Sequence, residues 1–209
     1  MTRPSIATHV LRLLAVAALA GCAVSDPSRY YALAASSAHA DAPRPIAEST
    51  LSIGVGPVAI PGYLDRPQVV TRDASGTLDI WPYQRWAEPL DTGIAQALAD
   101  DLVALVPTDR VVVFPWRGAM ARTIDYQVVV AVARFDGAPG GRVTLDARWR
   151  LLGRDGKEIT FKRAVLTEPV AGNDFPALVD AMHRTIGRLS EDIGEEIRSQ
   201  SAKRAATRD

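Results

Sequence analysis

The chain contains a single cysteine, Cys22, so no disulfide bond can form within it. Its fold must therefore rest on the packing of apolar side chains rather than on covalent cross-links. Hydrophobic residues make up 47% of the sequence and charged residues 23%, which is typical of a globular domain. A length of 209 residues is sufficient for one domain with an adequate core.

The first 21 residues have the pattern of a secretory signal peptide. Arg3 and Arg12 supply positive charge, residues 13–19 (LLAVAAL) form a short apolar stretch, and Gly21 and Cys22 follow. The stretch is shorter than the roughly 20 residues that a membrane-spanning helix needs. Small residues followed by cysteine resemble the bacterial lipobox. This implies cleavage before Cys22, a diacylglyceryl group on its thiol and an acyl chain on its new amino group. The alternative is a buried structural cysteine in an unrelated apolar segment.

The remaining sequence divides into a tether, a domain and a tail. Residues 22–50 are rich in Ala, Ser, Pro and Asp and predict the lipidated cysteine and a flexible tether. A coil of about 28 residues would span roughly 30 Å. Within it, residues 29–33 (RYYAL) predict either a short strand docked on the domain or a segment at the membrane interface. The domain is predicted over residues 51–200, and a polar, frayed tail over residues 201–209.

Apolar periodicity predicts a mixed fold of strands and helices. Helix-spaced apolar residues extend from about residue 89 to 106, and again for about 24 residues after Asp174. Gly187 and Gly194 lie in the second helix, either as tolerated surface glycines or as a small-residue contact with the sheet or a partner. The predicted strands are residues 51–58, 68–72, 77–81 and 110–114, followed by an antiparallel meander of residues 125–135, 142–152 and 157–168. This order predicts an α/β fold (an α+β sandwich), with a mixed, largely antiparallel sheet and two main helices packed on one face.

The sequence offers little catalytic chemistry. His183 is the one histidine of the predicted domain, and we interpret it as a helix boundary residue. With one histidine and no free thiol, the predicted domain has no Cys-His pair and no His-rich zinc site, and HExxH, CxxC and P-loop motifs are absent from the sequence. Asp100 and Asp101 are adjacent on a helix and are expected on a solvated face. We predict no enzyme activity, no metal and no cofactor beyond the covalent lipid on Cys22. No basic face is evident, so nucleic acid is not an expected partner.

Two predicted loops combine aromatic and charged residues. The candidate partner-binding residues among them are Tyr63, Leu64, Asp65, Arg66, Arg85, Trp86 and Glu88. Tyr, Trp and Arg are enriched in binding hot spots, which favours a surface for a protein partner. The alternative is that these residues form turns or complete the core.

Several motifs resemble the ABC-type transport auxiliary lipoproteins of the PqiC type. The resemblance covers nearly the whole chain after Cys22, in order. Besides the lipobox and residues 29–33, it is carried by residues 53–58 (IGVGPV), 61–70 (PGYLDRPQVV), 85–90 (RWAEPL), 134–137 (RFDG) and 166–170 (LTEPV).

This resemblance implies a function in lipid transport across the bacterial envelope. Such proteins face the periplasm, are usually anchored in the outer membrane, and have no known enzymatic activity. They act beside MCE-domain proteins and associated membrane transport subunits to maintain membrane integrity. Ala23 after Cys22, rather than Asp, agrees with outer-membrane placement. A homo-oligomer that matches a symmetric MCE partner is also expected.

We weigh three functions for the chain. The first is a non-catalytic adaptor that connects the outer end of an MCE protein to the outer membrane. The second is a lipid-binding shuttle or chaperone with an apolar pocket between sheet and helices. The third, an envelope hydrolase, rests only on the presence of carboxylates.

Overall fold

The computed structural model describes residues 27–34, 51–118 and 122–206. The predicted signal peptide, Cys22 and residues 35–50 lie outside this range. The described part consists of eight strands and two main helices. They are β1 (Arg29–Tyr31), β2 (Ser52–Ala59), β3 (Gln68–Arg72), β4 (Leu78–Trp86), α1 (Leu90–Leu105), β5 (Arg110–Val113), β6 (Tyr126–Asp136), β7 (Arg142–Gly153), β8 (Glu158–Pro169) and α2 (Phe175–Ala206).

The larger sheet has five strands in the order β5-β2-β6-β7-β8. β2 lies parallel to both β5 and β6. β6, β7 and β8 are successively antiparallel, which confirms the predicted meander. The alternation in β7 sets its faces, because Leu145 and Trp149 are buried whereas Arg148 and Arg150 are exposed.

The two helices cover the buried side of the larger sheet. α1 contacts β2 and β5, and α2 contacts β6, β7 and β8. At the crossing of the helices, a Cβ atom on Gly194 would lie 3.2 Å from the Cβ of Leu105, so Gly194 makes a close contact, but with the other helix and not with the sheet or a partner. The largest fully buried side chains include Phe135, Trp149, Ile94, Leu98, Leu189 and Ile193. The predicted α/β (α+β sandwich) class is confirmed.

A second, smaller sheet was not predicted as a separate unit. It has the order β1-β4-β3, with β1 parallel and β3 antiparallel to β4. β4 continues five residues beyond the predicted strand end at Trp81, so Arg85 and Trp86 lie on a strand and not in a loop. The prediction stopped early because Pro82 lacks an N–H group. The strand accommodates it by a bulge, since Val69 pairs with Trp81 while Gln68 pairs with Arg85.

The predicted polar tail begins too early. α2 continues to Ala206, so residues 201–206 are helical. This last part of the helix is held by its arginines: Arg198 Nη1 donates to the carbonyl of Leu105 (2.6 Å), and Arg204 Nη1 donates to Asp125 Oδ1 (3.0 Å).

Candidate functional site

The fold brings the two groups of candidate residues together at the edge of the smaller sheet. Gln68 pairs with Arg85 across β3 and β4, and the Trp86 N–H donates to the carbonyl of Pro67 (2.7 Å). Residues 63–67 therefore lie beside the end of β4, although about 20 residues separate the two groups in sequence. They form one surface, not two.

Two of the candidates belong to the core. Leu64 and Trp86 are only 3% and 6% exposed. Both pack within the main hydrophobic cluster of the described residues. Burial favours the core interpretation for them, because a partner cannot contact these side chains without opening the domain.

Tyr63 is held by a buried carboxylate that the sequence analysis did not identify. Its hydroxyl donates to Asp136 Oδ2 (2.7 Å), and the Arg72 guanidinium lies 5.4 Å from the centre of its ring. Asp136 also accepts from Arg72 Nε and Nη2 (3.0 Å each) and from Arg134 Nε (2.8 Å). Burial acts to raise the pKa of Asp136, but these hydrogen bonds, that from Arg72 above all, outweigh it and lower the pKa below its ordinary value.

This cluster joins the two sheets. Tyr63 and Arg72 come from the loop before β3 and from its end, whereas Arg134 and Asp136 end β6. Beside them, the Arg72 N–H donates to the carbonyl of Gly137 (3.0 Å). A Cβ on Gly137 would lie 2.4 Å from the carbonyl oxygen of Arg142, so only glycine fits there. The RFDG motif at residues 134–137 is therefore explained by structure.

The accessible candidates are Asp65, Arg66, Arg85 and Glu88. Asp65 is exposed and the other three are half-buried. Arg66 Nε is buried without a hydrogen-bond partner among the described residues. Arg85 pairs in register with Tyr30 of β1, which is 64% exposed. We call Tyr30, Asp65, Arg66 and Arg85 the β1–β4 surface. It combines aromatic and guanidinium groups with one carboxylate.

The segment of residues 29–33 is docked on the domain as a strand. The Tyr31 hydroxyl donates to Gln84 Oε1 (2.7 Å), and His183 Nε2 lies 3.1 Å from the carbonyl oxygen of Ala32. Leu33 is buried in the core. This decides between the two predictions for the segment in favour of the strand. It also gives His183 a structural contact, in agreement with its predicted role as a boundary residue.

No cluster of His, Cys, Asp or Glu side chains that could hold a metal ion occurs among the described residues. The prediction of a solvated face is correct for Asp100 but wrong for Asp101, which is fully buried and accepts from Ser190 Oγ (2.8 Å). No helix in the described ranges combines the length and apolarity that crossing a membrane requires.

Two solved structures show the same fold. One, of an uncharacterized protein, aligns with a TM-score of 0.65 at 23% identity, covering 82% of this chain and 99% of that one. The other, protein XCC0632 from Xanthomonas campestris (family DUF330), aligns with a TM-score of 0.57 at 16% identity over the same shares. No curated protein matches the sequence significantly.

Family membership follows from the sequence match. The model of the ABC-type transport auxiliary lipoprotein component matches residues 31–194, which is most of the chain. The match begins at the last residue of β1 and ends in α2, so it includes β2 to β8, α1 and, of the β1–β4 surface, Asp65, Arg66 and Arg85 but not Tyr30. The chain belongs to the ABC-type transport auxiliary lipoproteins, the PqiC-like family, whose members are membrane-anchored components of transport systems.

Proposed function

We propose that this chain is a non-catalytic, lipid-anchored subunit of an MCE-type intermembrane lipid transport system. It acts as an adaptor at the outer membrane, faces the periplasm and maintains membrane integrity. The observation that supports this most is the family match over residues 31–194. The signal peptide pattern and the cysteine that follows it supply the anchor.

The docked strand shortens the predicted tether. Because residues 29–33 are bound to the domain, only the seven steps from Cys22 to Arg29 separate the lipid from it. Such a length spans at most about 25 Å when fully extended. The end of the domain that carries β1 is thus held near the membrane. A flexible coil of 28 residues would instead have let the whole domain move away from it.

The β1–β4 surface is the proposed contact for the MCE-domain protein and its associated membrane subunits. Tyr30 and Arg66 are of the residue types that dominate binding energy at interfaces. Arg66 is half-buried, so part of this residue is accessible to a partner. A second copy of the chain is the other occupant that such a surface admits.

The test is affinity purification of the full-length lipoprotein from native membranes in mild detergent. The variant Tyr30→Ala/Arg66→Glu removes the exposed ring and reverses the charge without touching buried Trp86. We expect recovery of the MCE-domain protein to fall at least about 10-fold, the effect of losing 1.4 kcal/mol of binding energy. The matched control is Phe161→Ala/Arg150→Glu, an exposed aromatic and arginine pair in register on β7 and β8.

The outcomes separate the surface from the function. Unchanged recovery with Tyr30→Ala/Arg66→Glu would remove the β1–β4 surface as the contact. Failure of the wild-type protein to recover any MCE-domain protein would overturn the adaptor function itself. Recovery of the lipoprotein alone with non-covalent phospholipid would favour the shuttle. For that alternative, Phe135, Trp149 and Ile193 already occupy the space between sheet and helices where a lipid pocket was expected.

A further inference from the structure

A cleft of about 760 Å³ opens at the end of the larger sheet where the parallel strands begin. Its walls include Leu51 before β2, Arg110 at the start of β5, and Asp125 and Tyr126 at the start of β6. The last turns of α2 form another of its walls. α2 has 32 residues and is about 48 Å long, and β1 docks near its opposite end. The cleft is therefore separate from the β1–β4 surface.

The cleft carries an excess of positive charge. Five arginines line it, Arg110, Arg122, Arg154, Arg198 and Arg204, together with a single carboxylate, Asp125. Arg154 Nη2 and Arg204 Nη1 both donate to Asp125 Oδ1, at 2.8 and 3.0 Å. One carboxylate thus accepts from two guanidinium groups. The other three arginines have no carboxylate partner within the cleft.

Two of these arginines have no structural role among the described residues. The guanidinium groups of Arg110 and Arg122 make no hydrogen bond or ion pair with another residue in the described ranges, and both side chains are exposed. Arg198, in contrast, donates to the Leu105 carbonyl. Arg110 and Arg122 are therefore available to an anion that enters the cleft.

A buried polar atom points to a ligand independently of the charge. Ser201 is among the residues that line the cleft, and its Oγ is buried and has no hydrogen-bond partner among the described residues. Buried hydroxyl groups are normally paired, because an unpaired one has lost water without a replacement. An oxygen atom of a bound anion would supply that partner.

The remaining lining is apolar, and this limits the kind of anion. Leu51, Val106, Pro107, Tyr126 and Ala205 line the same cleft. A small inorganic ion has no apolar surface to bury against these groups, whereas an anionic amphiphile can bury its acyl or glycerol part against them. The planar guanidinium group matches the oxygens of a phosphate group better than any other cationic side chain.

We propose that this cleft binds the phosphate group of an anionic amphiphile, a glycerophospholipid in chemical class. Arg110, Arg122 and Ser201 contact the phosphate group, and the apolar lining takes the adjoining part of the lipid. The proposal does not depend on the identity of the transport partner.

The test uses full-length lipoprotein in a neutral maltoside detergent and follows its thermal unfolding midpoint. The probes are dihexanoyl phosphatidylglycerol and inorganic phosphate, because a ligand of the folded state raises the midpoint according to its affinity. We expect a saturable rise with the lipid, an apparent Kd at least about 10-fold weaker in Arg110→Gln/Arg122→Gln, and a smaller weakening in Ser201→Ala. Arg148→Gln/Arg150→Gln, which removes two exposed arginines of β7 outside the cleft, should bind as the wild type does. All variants share one detergent, so partition of the lipid into micelles is equal among them.

Three results would overturn the proposal. Equal affinity for inorganic phosphate and for the lipid would show that the acyl part of the lipid contributes nothing to binding, and the cleft would then be a site for free phosphate. Equal weakening in the Arg148→Gln/Arg150→Gln control would show attraction to net charge and no defined site. The absence of any rise with either probe in the wild-type protein would show that the cleft binds neither.

Discussion

Two carboxylates mark the two ends of β6, and they differ in how their charge is balanced. Asp136 ends the strand, is fully buried, and accepts hydrogen bonds from Tyr63, Arg72 and Arg134. Asp125 precedes the strand, and its side chain is 11% exposed and bound by two arginines. Hydrogen bonds lower the pKa of both carboxyl groups despite the opposing effect of burial.

The difference lies in what surrounds each pair of arginines. At Asp136 the donors come from the loop before β3, from β3 and from β6, and they surround a carboxylate that is fully buried. At Asp125 the arginines stand in an open cleft with three further guanidinium groups. A closed and satisfied charge cluster fixes two sheets to each other. An open cluster with excess charge leaves binding capacity for a ligand.

The largest expected effect is the loss of stability in Asp136→Asn. The substituted amide cannot accept from all four donor atoms, and Arg72 and Arg134, whose side chains are 22% and 40% exposed, lose their buried carboxylate partner. Removal of one partner from a buried ion pair costs about 3 kcal/mol or more. Urea unfolding of the full-length protein, followed by tryptophan fluorescence, measures this loss.

The same substitution at the other end of the strand is the matched comparison. Asp125→Asn keeps one oxygen that can accept from the Ser52 N–H, and its arginine partners are largely solvated. We expect a loss of about 1 kcal/mol or less. Equal losses at Asp125 and Asp136 would contradict the distinction between an open and a closed cluster.

The next effect isolates one hydrogen bond of the closed cluster. Tyr63→Phe keeps the ring beside the Arg72 guanidinium but removes the hydroxyl that donates to Asp136. Hydrogen bonds to charged groups contribute about 1.5 to 3 kcal/mol, and the half-buried position of Tyr63 places the expected loss near the lower value. Unfolding by urea gives the loss, with Tyr83→Phe on the exposed part of β4 as the control.

Stability unchanged by Tyr63→Phe would show that Arg72 and Arg134 alone satisfy Asp136. In that case the hydroxyl of Tyr63 would be available to contact a partner at the β1–β4 surface, as the sequence analysis predicted.

The elements with strong periodicity could be predicted from the sequence. The stripe from Leu178 to Ile197 defined α2, and the alternation in β7 defined the meander. The second sheet was missed because pairing of β1 with β4 joins residues more than 50 positions apart and because Pro82 masks the continuation of β4. Long-range pairing of this kind leaves no local periodic signal.

The charged clusters were missed for a related reason. Arg72 and Asp136 are 64 positions apart, and the five arginines of the cleft are distributed from residue 110 to residue 204. No basic face was evident from the sequence because these arginines come together only in the fold. Of the residues in these clusters, Arg134 and Asp136 lie in a motif that the sequence analysis had singled out, RFDG. In the structure, Asp136 and Gly137 of this motif are both closely packed.

The smallest expected effect is a difference in how stability depends on pH. The pKa of Asp136 is lower in the folded state than its ordinary value of 3.8. Its contribution to stability is therefore complete above that ordinary value and is lost as the pH falls through the folded pKa, because the unfolded state binds the proton more readily. Asp125 follows the same rule.

In unfolding experiments between about pH 5 and pH 2.5, the wild type should lose stability as the pH falls, and Asp136→Asn should lose less, because the group that titrates is gone. Asp125→Asn should flatten the curve by a smaller amount, since its solvated arginines stabilise the carboxylate less. If Asp136→Asn kept the full acid dependence, the titration would belong to other carboxylates, and the contrast between the two ends of β6 would rest on packing rather than on charge.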